Sequence, residues 1–179
     1  MRELGLISTN YVLFVIILVL LTSLQCSLWM QLLGSFPPPQ TWIPFVVYAA
    51  LYRRPAESLA LAALLTLAAT SLSAIPLGLF LMLNLLLVGF IVLFKERIYW
   101  PGSTYFVLVC GSSVILFSLL HLSLSWMIEF NPIRHYHLFD WTLGSLLTML
   151  IGFPLYRLLN WIDHLTQKEL PTEAGAQWL

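Results

Sequence analysis

The sequence predicts an all-α, polytopic membrane helical bundle of six transmembrane helices, the second of them short, and three observations carry that fold class. The 179 residues are 60% hydrophobic and 9% charged, with a mean hydropathy of +0.90, which is too little charge to cover a soluble domain of this size. The run from Ser58 to Phe94 holds no charge in 37 residues; as one helix it would extend about 55 Å at about 1.5 Å per residue, against a bilayer core about 30 Å thick. It must therefore fold back on itself. The third observation is that Lys and Arg fall in short loops on alternate sides of the apolar runs, the signature of a multi-span chain.

Taken in order, the first span covers about residues 10–32. Arg2 ahead of an apolar run resembles a secretion signal, yet the run continues from Tyr11 through Cys26, Leu28 and Trp29 with no small-x-small cleavage site, and Gln25 before Cys26 is a poor match to a lipoprotein signal. The second element, about 40–52, lies between "FPPPQ" and "YRRP". Its apolar part, Trp42 to Leu51, has about half the usual span, and Pro44 limits it further, so it is a short tilted helix or a re-entrant segment. Spans at 57–73 and 76–94 are separated by "TSLSAIPLG", where Ser71 and Ser73 can satisfy freed backbone groups and Pro76 can open the next helix. The last two spans cover 103–127 and 140–161. A single membrane domain accounts for residues 1–179, with 162–179 as a short cytoplasmic tail.

Six spans with the N-terminus inside place Arg2, Arg53, Arg54, Lys95, Arg97, Arg157 and Lys168 on the cytoplasmic face and only Arg134 outside, seven against one; five spans give six against two. The positive-inside rule prefers six, with both termini cytoplasmic. Trp29, Trp42, Trp126 and Trp141 then mark the outer boundary and Tyr52, Tyr99, Trp100, Tyr156 and Trp161 the inner one, as aromatic belts do. Eight basic residues balance eight acidic ones, so nothing here neutralises a row of phosphates and nucleic acid is excluded as a partner class. Cys26 and Cys110 sit in apolar runs and read as small hydrophobes rather than a disulfide pair.

Candidate chemistry is sparse. "EFNPIRHYHLFD" brings together Glu129, His135, His137 and Asp140, but His-x-His alone lacks the ligand count and fixed geometry of a metal site; an interfacial loop touching headgroups is the plainer reading. Asn84 and His121 are the polar side chains within spans that merit scrutiny, and an interhelical hydrogen bond is the role expected of each. Ser58, Ala62, Thr66, Thr70 and Ala74 recur every four residues on the third helix, a stripe of small side chains that permits close backbone approach, either inside the bundle or against another protein. Neither a nucleophile elbow, nor a phosphate loop, nor paired intramembrane carboxylates appear. The expectation is no catalytic activity, no cofactor and no metal.

The order of elements carries a resemblance: one helix, a proline-bearing turn, "WIPFVVYAALYRRP", two helices joined by "TSLSAIPLG", the basic "FKERIYW" loop, and two helices ending "PLYRLLNWIDHLT". In length, spacing and loop chemistry this resembles the rod shape-determining protein MreD family across nearly the whole chain. Leu77 and Gly78 match a pair often seen in that family, while Thr70 stands about where members carry an aspartate. The resemblance implies a fold similar to the substrate-binding subunits of energy-coupling vitamin transporters. It also implies a bacterial inner-membrane role in cell shape and peptidoglycan synthesis, as a non-catalytic elongasome scaffold that binds an MreC-like bitopic protein. MreB-like filaments, a RodA-like glycosyltransferase and a class B penicillin-binding protein complete the wider complex.

Three readings follow. The first is that scaffold, its candidate contacts being Ser58, Ala62, Thr66, Thr70 and Ala74 with the basic loop residues Arg53, Arg54, Lys95 and Arg97, which suit an acidic partner or anionic membrane lipid. The second is a transporter substrate-binding subunit whose pocket opens outward near Trp42, Asn84, His121 and Trp126. The third is a membrane hydrolase built on His135, His137 and Asp140.

Overall fold

A computed structural model describes residues 2–34, 36–73, 75–95, 97–98, 102–128 and 138–166. The described residues form an all-helical bundle. It comprises α1 (Arg2–Leu24), a five-residue π-helical turn (Gln25–Trp29), α2 (Met30–Leu33), α3 (Ile43–Tyr52), α4 (Pro55–Thr70), α5 (Leu77–Lys95), α6 (Ser103–Ile128) and α7 (Leu138–Leu165). Four helical stretches are long and apolar enough to cross a membrane: Ser8–Leu33, Leu77–Lys95, Ser103–Ile128 and Leu138–Leu165. Such a bundle is that of a multi-pass membrane protein.

The shortest of the main helices forms the centre. Every residue of α3, from Ile43 to Tyr52, is buried, and α4, α5, α6 and α7 pack around it. A helix apolar on all sides is stable only when sheathed on all sides, so it carries no distinct inward face. At ten residues it is about 15 Å long, half a bilayer core. Its start is the proline-rich turn, with Pro44 in the first helical turn, where a missing N–H costs nothing.

On α1 the inward stripe is Asn10, Phe14, Leu18 and Thr22, and the opposite stripe of Val12, Ile16, Leu20 and Leu24, continued by Leu28 in the π-helical turn and Leu32 in α2, is exposed. The "TSLSAIPLG" reversal forms as the sequence predicts. α4 stops at Thr70, the Leu72 and Ser73 N–H groups donate to the Ala69 and Thr70 carbonyls, the Ser73 hydroxyl accepts from the Ile75 N–H, and the Phe80 N–H donates to the Pro76 carbonyl as α5 begins. α6 and α7 are the most intimate pair. A Cβ on Gly111 would lie 1.8 Å from Met149 Cε, so a side chain there would force Met149 to move, and the Ser145 hydroxyl donates to the Gly111 carbonyl at 2.9 Å; small residues permit this close approach.

Several boundaries differ from the sequence reading: α1 begins at Arg2 rather than 10, α4 covers Pro55–Thr70 rather than 57–73, and two further differences bear on the site. Helix 43–52 is shorter than 40–52 because Gln40, Thr41 and Trp42 belong to the turn that precedes it. α7 continues to Leu165 past the expected end at 161, because Ile162, Asp163 and Thr166 are buried against the bundle rather than belonging to a tail.

Candidate functional site

Polar groups collect at the two ends of α3. At its C-terminal end, Arg53 leaves the helix in an extended conformation and turns inward. Its guanidinium Nη2 donates to Asp163 Oδ1 on α7 and, at 3.2 Å, to Asn10 Oδ1 on α1. Asp163 also accepts from Asn10 Nδ2 at 2.9 Å and from the Tyr48 hydroxyl at 2.7 Å. Asn10 Nδ2 reaches Thr166 Oγ1 at 2.8 Å, and Tyr11 donates to Glu57, whose carboxylate lies 3.8 Å from Arg53 Nε. The Arg53 guanidinium also stands 5.7 Å from the centre of the Phe14 ring, a cation–π contact. Both charged side chains are 1% exposed. Buried charge is tolerated only when paired and hydrogen-bonded, and here one carboxylate takes three donors from three other side chains. This knot ties the start of α1, the end of α3, the start of α4 and the end of α7 to one end of the bundle.

At the opposite end, where α3 begins, a partly open cavity of about 430 Å³ lies among Gln25, Gln40, Trp42, His121, Asp140 and Trp141, with Pro37, Pro38, Phe80 and Phe117 in its walls. Its origin is geometric. α3 fills half the depth of a bilayer, and the non-helical segment before it does not fill the rest. That segment's backbone is satisfied by its neighbours: Gln25 Oε1, presented by the π-helical turn, accepts from the Thr41 N–H at 3.3 Å and hydroxyl at 2.5 Å, and Thr148 Oγ1 on α7 accepts from the Gln40 N–H at 2.9 Å. Irregular backbone at membrane depth survives only where protein or a polar cavity surrounds it. Below, Trp42 meets Phe80 and Phe117 edge-on at 5.0 and 4.7 Å, and His121 lies 6.2 Å from Phe117. Gln40 Oε1 is buried and accepts no hydrogen bond among the described residues. An aromatic wall with a few convergent polar groups is the composition of a binding site.

The residues singled out from sequence separate accordingly. Ser58, Ala62 and Thr66 are buried and Thr70 is half-buried, with the three hydroxyls turned back to the Pro55, Ala62 and Thr66 carbonyls of their own helix, so the stripe packs within the chain. Ala74 lies outside the described residues. Arg53 is interior, whereas Arg54 and Arg97 are exposed and Lys95 is half-buried. Asn84 donates to the Phe80 carbonyl of its own helix at 3.0 Å, not to another helix, and its Oδ1 is buried without a partner. The cavity contains Trp42 and His121, while Asn84 lies beneath it beside a narrow void and Trp126 is exposed. Asp140 borders the cavity; Glu129, His135 and His137 lie outside the described residues. Among the described residues no three His, Cys, Asp or Glu side chains converge as a metal site would require.

Asp163, Asn10 and Tyr48 in the knot, and Gln25, Gln40 and Thr148 at the cavity, are the residues that sequence reasoning did not single out. Asp163 carried the one available signal, a carboxylate one residue from apolar Ile162 in the last turns of a span. No family model, no curated protein and no solved structure matches this chain.

Proposed function

We propose that this chain is a six-pass, non-catalytic scaffold of the bacterial inner membrane, with both termini cytoplasmic, acting in the cell-elongation machinery and seating an MreC-like single-span partner. The observation that carries the reading is the cavity at the end of the bundle opposite the Arg53–Asp163 knot. With the basic loops cytoplasmic, the cavity opens at the outer face, where a single-span partner leaves the bilayer. Its mixture of Trp42, Phe80 and Phe117 with Gln25, Gln40 and Asp140 is too polar for lipid tails and suits an emerging peptide. The resemblance to the MreD family supplies the partner's class and the wider assembly with MreB-like, RodA-like and class B penicillin-binding proteins. Because the small stripe on α4 faces inward, partner contact in this reading passes to the cavity rim and to the exposed apolar face of α1.

A photo-crosslinking residue placed at Leu122 or Trp141 in living cells tests the reading. The expected result is covalent capture of one bitopic protein from these positions and none from Phe153, which is exposed but does not line the cavity. Capture of nothing from either rim position overturns it.

The cavity volume supports a second reading, the small-molecule-binding subunit of a transporter, since about 430 Å³ falls in the range of roughly 300–1,000 Å³ of such sites. A ligand released from gently purified protein and detected by mass spectrometry, together with copurifying ATPase and coupling subunits, would favour it.

A further inference from the structure

Away from the cavity, α5 and α6 pack against each other much less than α6 and α7 do. Between them runs a half-open groove of about 240 Å³ lined by Phe90, Ile91 and Phe94 from α5 and by Tyr105, Val109, Ser112, Ser113 and Leu116 from α6. The Ser112 hydroxyl is turned to the Val109 carbonyl at 3.0 Å, so the lining is in effect apolar. One end of the groove lies at Phe94, the residue before Lys95 in the last turn of α5, and Arg97 follows. Among the described residues no carboxylate pairs with either cation.

We propose that this groove binds one acyl chain of an anionic phospholipid whose phosphate meets Lys95 and Arg97. Length selects lipid over a partner helix. From Tyr105 to Leu116 the α6 wall rises about 16 Å at about 1.5 Å per residue, which is one leaflet of a core about 30 Å thick, whereas a spanning helix would need a groove crossing both leaflets. Charge selects the headgroup: two cations at the polar mouth of an apolar cleft between transmembrane helices form the pattern that recognises anionic lipid. The site lies on a different helix pair from the cavity wall at α3, and it stands or falls independently of the scaffold reading.

The test uses the full-length protein in phosphatidylcholine proteoliposomes containing a tail-photoactivatable phosphatidylglycerol or, at equal mole fraction, the corresponding phosphatidylcholine probe. The expected result is about tenfold more labelling of the α5 and α6 peptides by the anionic probe. The K95Q/R97Q double variant should fall to the phosphatidylcholine level with its thermal unfolding unchanged. In S112W, which fills the groove from its exposed rim, both probes should lose access. Equal labelling by the two probes, or anionic labelling that survives the double charge variant, overturns the proposal. Capture of a protein helix by a photo-crosslinker at Ser112 in cells does so as well.

Discussion

Where α3 ends, Asp163 accepts hydrogen bonds from Arg53, Asn10 and Tyr48, and both charged side chains are almost wholly buried. Where α3 begins, Gln25 and Thr148 hold an irregular backbone in place, and Gln40 and Asp140 border a hollow. One helix of ten residues thus separates an end where a buried ion pair ties four helices together, with Arg53 Nε and Nη1 making no hydrogen bond among the described residues, from an end where polar side chains line a hollow. The difference teaches where substitutions should be read: stability at the first end, binding at the second.

The largest expected effect is at the knot. Asp163→Ala leaves the Arg53 cation buried and unpaired, a loss of about 3–5 kcal/mol that thermal unfolding in detergent should register as a large fall in midpoint. The R53M/D163L double variant should be clearly more stable than D163A, because removing both charges removes the uncompensated one. A D163A protein as stable as the parent would abolish the distinction between the two ends. Tyr48→Phe deletes one donor to a charged acceptor and should cost about 2 kcal/mol, measured in the same melt. At the open end the effects shrink: Thr148→Val withdraws the acceptor of the Gln40 N–H for about 1 kcal/mol. Gln40→Met removes no hydrogen bond of Oε1, so stability should shift by no more than about 0.5 kcal/mol, while capture of the partner from Leu122 and Trp141 falls. A Gln40→Met variant that melts early and crosslinks normally would reverse the comparison.

Much of the architecture was legible because bilayer physics leaves few choices. Uncharged runs longer than a bilayer must turn, and Ser71, Ser73 and Pro76 marked the turn where α4 gives way to α5. Even the half-length of the second element could be read from "WIPFVVYAAL" between proline and arginine. What that element does could not. A helix apolar on every side carries no stripe that says which neighbours sheathe it. Arg53 beside Arg54 reads as a cytoplasmic loop pair, and nothing local distinguishes the arginine that turns inward from the one that stays exposed; its partner lies 110 residues away. The stripe from Ser58 to Thr70 announced close packing and not its partner, which proves to be the rest of the same chain. The cavity was anticipated at Trp42 and His121 but not at Gln25 and Gln40, because it depends on a π-helical turn and a non-helical segment that periodicity does not encode.

The burial of Arg53 also orders events during synthesis. When α3 leaves the ribosome, Asp163 is not yet made, Glu57 at 3.8 Å from Arg53 Nε is the nearby carboxylate that follows first, and a helix of about 15 Å cannot hold a transbilayer position alone. At about 5–20 residues per second, the 110 residues to Asp163 take roughly 5–20 s to appear. Through that interval Arg53 lacks the partner that α7 supplies. A chain interrupted before Asp163 would lack the carboxylate with which its buried Arg53 pairs.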